Sequence, residues 1–212
     1  MSPQEKFAAA MDVLPLVAIL RGIRPRQAAE VGSVLVEAGF GLIEVPLNSP
    51  RPLQSIEALV AQFPQALVGA GTVLTVKEVG EVQAAGGQLI VSPNFNPAVV
   101  KEAVRLGLVC LPGVLTASEA FGALEAGASG LKLFPAEMIP PAAVKALRAV
   151  IAADVALLPV GGITPQNMAG YRAAGASGFG IGSALFKPGW AAAEVALGAR
   201  DFAAAWAGTI RA

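Results

Sequence analysis

One arrangement of polar and apolar positions recurs along the chain. The segments EAGFGLIEV, AAGGQLIVS, RLGLVCLPG, EAGASGLKLF and AAGASGFGIG share it: an amphipathic stretch, a glycine, a few residues, then an apolar run. Glycine just past a helix end supplies the left-handed cap, and the apolar run that follows enters a sheet. Repetition at this interval predicts a chain that cycles helix, turn, strand.

The apolar runs predict eight strands, at 17–21, 42–47, 67–73, 89–93, 109–113, 130–135, 156–162 and 178–185. Between them lie amphipathic stretches such as RPRQAAEVGSVLVEAG and TASEAFGALEAG. Thr75, Thr116 and Thr164 stand where helix N-caps belong. Glu78 and Glu119 follow the first two by three residues, the spacing of a capping box. Near-continuous apolar strands alternating with helices indicate a parallel sheet buried on both faces. Eight such units indicate an α/β fold of the closed (β/α)8 TIM-barrel type, with an open doubly wound sheet as the competing arrangement. An extra N-terminal helix, PQEKFAAAMD, precedes the first strand, and RDFAAAWAGTI reads as a closing helix. With no linker and no low-complexity segment between them, residues 1–212 are expected to form a single barrel domain.

Composition narrows the function classes. The chain is neutral overall, with 15 basic and 15 acidic residues and no run of like charge, so no nucleic-acid footprint is visible. Mean hydropathy is positive, yet no apolar run approaches the roughly 20 residues that span a bilayer, so no membrane partner is expected. The N-terminal apolar patch is broken by Asp12 and Pro15 and does not read as a signal peptide. The single cysteine, Cys110, lies in an apolar run and reads as core, which fits a cytoplasmic location. Histidine is absent, which removes the commonest general base and metal ligand, so His-based hydrolase triads are excluded and no metal site is expected.

Polar residues near strand ends are the candidates for chemistry, because barrel active sites form at that face. The first strand ends in Arg21, the second carries Glu44, the third ends near Thr72, and Ser92 and Asn94 follow the fourth. The sixth carries Lys132, and the last two end in Gly161 and Gly162 and in Gly182 and Ser183. Alternation turns Ile43, Val45, Leu131 and Leu133 toward the helices, so Glu44 and Lys132 point inward. Two readings follow: a structural ion pair, or an imine-forming lysine with a proton-transfer partner. Burial and a nearby cation such as Arg21 both favour the neutral, nucleophilic amine, and burial raises the expected pKa of Glu44. Arg21 itself suits a carboxylate through its forked donors. The glycine pairs read either as tight turns or as backbone donors for a phosphate. Thr72 and Ser92 are weaker signals, Trp190 and Trp206 read as helix packing, and the remaining lysines, Lys187 among them, read as solvated.

The motifs AILRGI, GLIEVPLNSP, VGAGTVL, SPN, LKLFPAE, PVGGITPQN and GIGSAL, taken together, resemble the short class I 2-keto-3-deoxy-6-phospho-sugar-acid aldolases over nearly the whole chain. The resemblance implies a (β/α)8 barrel assembled as a homotrimer, with no cofactor. It implies cleavage of a phosphorylated 2-keto-3-deoxy sugar acid to pyruvate and glyceraldehyde 3-phosphate through a lysine imine. Carried over, Lys132 forms the imine, Glu44 moves protons, Arg21 and Thr72 hold the pyruvate portion, and Gly161, Gly162, Gly182 and Ser183 hold phosphate. Where the gluconate branch has arginine and threonine, this chain has Asn48 and Val160. With Arg21, these features look like the galactonate branch. The alternatives are a gluconate or 4-hydroxy-2-oxoglutarate specificity, a phosphate-binding barrel isomerase or synthase, and a non-catalytic sugar-phosphate-binding barrel.

Overall fold

Each apolar run becomes a strand, and helices fill the intervals between them. The computed structural model describes residues 1–209. In chain order the elements are α1 (Pro3–Val13), β1 (Leu16–Ile19), α2 (Pro25–Glu37), β2 (Leu42–Pro46), α3 (Pro52–Gln62), β3 (Leu67–Gly71) and α4 (Val76–Ala84). They continue as β4 (Leu89–Val91), α5 (Pro97–Arg105), β5 (Val109–Leu111), β6 (Gly113–Val114), α6 (Ala117–Glu125) and β7 (Leu131–Leu133). The last are α7 (Pro141–Arg148), β8 (Leu157–Pro159), α8 (Met168–Ala173), β9 (Phe179–Ile181) and α9 (Ala192–Gly208). The closing helix starts earlier than its expected position, and Ile210 to Ala212, the end of the expected 1–212 domain, lie outside the described residues.

The result is an α/β fold on curled parallel sheets. Six strands pair in the order β5-β4-β3-β2-β1-β9 and three in the order β6-β7-β8, every pair parallel. The ladder therefore differs from an uninterrupted ring of eight. The fifth expected strand is divided into β5 and β6 at Pro112, which has no N–H to give to a ladder. Its carbonyl still accepts from the Lys132 N–H at 3.0 Å. At the other seam, β8 meets β9 through a single bridge between Val160 and Gly180.

Alternation divides the apolar residues into two cores. Outward positions, among them Ile43, Val45, Leu131, Leu133 and Phe179, pack under the helices. Cys110 lies there too, where burial pushes its thiol pKa to about 12. Inward positions Val17, Leu42, Leu67, Leu89, Val109 and Leu158 form a second core inside the sheet. Ala10, Phe7 and Met11 of α1 close it at the end where the strands begin. In α2 the buried residues Ala28, Val31, Gly32 and Leu35 follow the i, i+3, i+4, i+7 stripe of a helix with one covered face.

The punctuation follows the reading closely. The five glycines of the repeated pattern, Gly39, Gly86, Gly107, Gly127 and Gly175, all have positive φ, between +72° and +101°. Thr75 with Glu78 and Thr116 with Glu119 form the expected capping boxes. Thr164 does not cap a helix: α8 starts at Met168, with Asn167 preceding it. The Asn167 side chain instead ties down the loop, accepting from the Thr164 N–H at 2.9 Å and donating to the Gly162 carbonyl at 2.8 Å.

Leu67 is fully buried in the inner core. Leu67→Ala is expected to cost about 2–5 kcal/mol, read as a lower urea midpoint at unchanged m-value.

Candidate active site

Glu44 and Lys132 take inward positions on β2 and β7, with fractional exposures of 1% and 6%. Both line a small interior void of about 10 Å3, together with Val17, Ile19 and Leu158. Lys132 also lines a larger cleft of about 550 Å3 at the strand ends, and Glu44 does not. The amine thus stands at the junction of the two spaces, with the carboxyl behind it. The void is close to the volume that one water requires.

The site is built around the needs of that carboxyl. A Cβ at Gly71 would lie 2.4 Å from Glu44 Oε2, so glycine at this position of β3 leaves the carboxyl its place. Glu44 Oε2 is buried and meets no protein partner among the described residues. Burial therefore raises the Glu44 pKa, against the opposing pull of Lys132 and then Arg21. Burial also lowers the Lys132 pKa; Glu44 opposes that shift, and the Arg21 charge adds to it. The reading of the two as a bonded ion pair fails on distance, since the ion pairs within 4.0 Å among the described residues are Lys77–Glu81 and Arg105–Glu102, both on helix surfaces. Lys132 Nζ lies 4.7 Å from the centroid of the Phe134 ring, an apolar wall that further disfavours water around the amine.

Arg21 sits in the turn after β1, two residues beyond the strand end, and its exposed side chain lines the cleft. Its Nη1 donates to Asn48 Oδ1 at 2.8 Å, so Asn48, outside the cleft lining, orients the guanidinium. The same turn is held by the Gly22 N–H, which donates to Ser49 Oγ at 2.9 Å. Val160, Gly161, Gly162, Gly182 and Ser183 line the cleft beside Lys132. Among the described residues the N–H groups of Gly162, Ser183 and Ala184 donate to no protein acceptor. Gly161 and Gly162 have φ of +111° and +61°, a conformation that side chains resist. The turn after Gly182 is a single helical turn, with Leu185 and Phe186 N–H groups bonded to the Gly182 carbonyl, so no full helix N-terminus stands there.

Two expected residues lie elsewhere. Ser92 is structural: its buried hydroxyl donates to the Val73 carbonyl at 2.7 Å. Thr72 is half-buried at the end of β3 and lines neither space. Its φ of +59° is rare for a β-branched residue, and such strain concentrates at functional positions. Phe134, Glu137 and Lys187 also line the cleft, although no strand-end signal in the sequence marks them for it. The run LKLFP hints at Phe134, but the other two reach the cleft only through loop geometry. Among the described residues, no three His, Cys, Asp or Glu side chains gather as a metal site.

A family model described as "KDPG and KHG aldolase" matches residues 7–196. The chain belongs to this aldolase family. It is 50% identical over 182 residues, 85% of this chain and 86% of the relative, to a Rhizobium meliloti (strain 1021) protein named "Probable 2-dehydro-3-deoxy-6-phosphogalactonate aldolase". It is 48% identical over 195 residues, 91% of this chain and 95% of the relative, to the 2-dehydro-3-deoxy-6-phosphogalactonate aldolase of Escherichia coli (strain K12). The solved structure described as "Native KDPGal structure" superposes with a TM-score of 0.92 at 44% identity, covering 94% of this chain and 97% of that one. The glycine-lined cleft opens at the strand ends, with the amine at its base and the carboxyl in the void beneath.

The raised Glu44 pKa has a stability consequence. The penalty of ionising this buried group is absent below the unfolded-state value, where both states are protonated, and is complete once pH exceeds the folded-state value. Glu44→Gln is therefore expected to raise the urea midpoint at pH 8, with the gain vanishing near pH 4, while activity falls. A gain that persists unchanged in acid would contradict the assigned direction.

Proposed function

We propose that the chain is a class I aldolase that reversibly cleaves 2-dehydro-3-deoxy-6-phosphogalactonate to pyruvate and D-glyceraldehyde 3-phosphate. The observation that carries this reading is the placement of a desolvated amine, Lys132, between an inner carboxyl and an open cleft. The relatives named as galactonate aldolases, with Val160 and Asn48 in this chain, favour the galactonate-derived epimer. We read the two sheets and their seams at Pro112 and Val160 as one (β/α)8 barrel in a single domain, assembled as a homotrimer in the cytoplasm.

In this mechanism neutral Lys132 Nζ attacks the C2 ketone, and its nitrogen loses a proton as the C2 oxygen gains one. Glu44 gives a proton to the carbinolamine hydroxyl, which leaves as water, and the nitrogen lone pair forms the iminium. Deprotonation of the C4 hydroxyl breaks the C3–C4 bond; its electron pair moves into the iminium to form an enamine, and the aldehyde leaves. Protonation at C3 and hydrolysis return pyruvate and the free amine. Glu44, behind Lys132, takes and returns the protons; its raised pKa suits a group that must do both near neutral pH. Arg21, oriented by Asn48, holds the carboxylate end. Gly161, Gly162, Gly182 and Ser183 offer backbone donors to the phosphate.

Pyruvate with borohydride is expected to leave a reduced adduct on Lys132, located by mass spectrometry. Lys132→Ala is expected to lose both the adduct and cleavage, and EDTA to have no effect. An intact fold without the adduct, or full activity in Lys132→Ala, would overturn the imine mechanism.

The C4 epimers test the branch. Wild type is expected to favour the galactonate-derived substrate in kcat/KM, and Val160→Thr with Asn48→Arg to shift the ratio toward the gluconate-derived one by roughly tenfold. Equal ratios in wild type would assign a mixed specificity instead.

A further inference from the structure

We propose that Lys187 is the charge partner of the substrate phosphate and sets the preference of the enzyme for a phosphorylated aldehyde. The inference rests on the reading of the glycine-lined cleft as a phosphate site. The glycine N–H groups are neutral donors, whereas a phosphate monoester carries close to two negative charges at neutral pH. One wall of the cradle is unfavourable to it. Glu137 lies against Gly161 and Gly162, its Oε2 only 2.3 Å from where a Gly161 Cβ would stand, so a carboxylate flanks the donors. A dianion held there requires a compensating cation.

Lys187 meets that requirement. It lines the same cleft, reached from Gly182 and Ser183 through the single helical turn that follows β9. Among the described residues it makes no ion pair. Its Nζ lies 5.3 Å from the centroid of the half-buried Trp190 ring, and its carbonyl accepts from the Trp190 N–H at 3.1 Å. A cation held by a ring face keeps its full charge for an anion in the cleft. The loop is also seated. Pro188 packs on the turn that carries Arg21, with its Cγ 2.7 Å from a would-be Cβ at Gly22, whose φ is +83°. Two cations are thus mounted on one rim by touching turns. Among the described residues Arg21 is bonded only to the neutral Asn48, and it answers the substrate carboxylate. Lys187 answers the phosphate at the opposite end of the same molecule.

The test compares kcat/KM for pyruvate addition to glyceraldehyde 3-phosphate and to D-glyceraldehyde. Lys187→Met keeps the stem over Trp190 and removes the charge. The ratio of the two values is expected to fall on the order of tenfold, the scale of one hydrogen bond to a charged group. Lys187→Arg is expected to retain most of the ratio, and added salt to erode the preference of wild type more than that of Lys187→Met. A wild-type preference that Lys187→Met leaves within about twofold would overturn the role of Lys187 alone. A wild-type enzyme indifferent to the phosphate would overturn the phosphate reading of the cleft, and this proposal with it.

Discussion

An amine and a carboxyl share an interior that solvates neither of them, and the rest of the architecture answers to that constraint. Desolvation moves Glu44 and Lys132 toward their neutral forms, and it is the leading cause of both shifts. A close salt bridge would have restored the charges and passivated the amine. The fold avoids this by holding the groups on separate strands, β2 and β7, around a small void rather than in contact. Glycine in β3 gives the carboxyl its space, and the Phe134 ring limits hydration of the amine from the cleft side. The cost is a buried carboxylate oxygen without a protein partner, a kind of exception that native structures keep mainly where chemistry needs it.

The outer cleft obeys different rules. It is open, lined by backbone and by exposed charge, and most of its parts come from loops, with Ile19, Lys132 and Gly180 contributed by the strands beneath. Small ties set the geometry there. Asn48 holds Arg21, Ser49 holds the Gly22 amide, and Asn167 folds the loop after Gly162 back on itself. In the proposed mechanism the deep part of the site makes the reactive group, and the shallow part decides which molecule reaches it.

This division explains what was legible in the sequence. A strand has a period of two, so alternation along LIEVP and LKL is enough to turn Glu44 and Lys132 inward. The helix-ending glycines and two capping boxes were legible because their signals are local. Thr164 followed by Pro165 carried the same local signal for a helix start, yet the Asn167 side chain bonded the loop instead of capping, and α8 began later. Glu137 and Lys187 could not be found by pattern, since each meets the cleft only when loops distant in sequence converge. The left-handed backbone of Thr72 was equally hidden, because nothing in GAGTV distinguishes a strained threonine from a relaxed one. The seam at Pro112 was visible as a residue but not as an interruption.

The N-terminal helix gives the molecule a floor. Phe7, Ala10 and Met11 pack over the strand-start end of the inner apolar core, and the cleft that Lys132 lines opens at the other end. Traffic therefore runs through one mouth. In the proposed imine mechanism, the fragment that is not attached to Lys132 leaves through the cleft first, and the water that frees the attached fragment enters by the space just emptied. A helix remote from every reacting atom thereby imposes an order of events: release of one product makes room for the reagent that liberates the other.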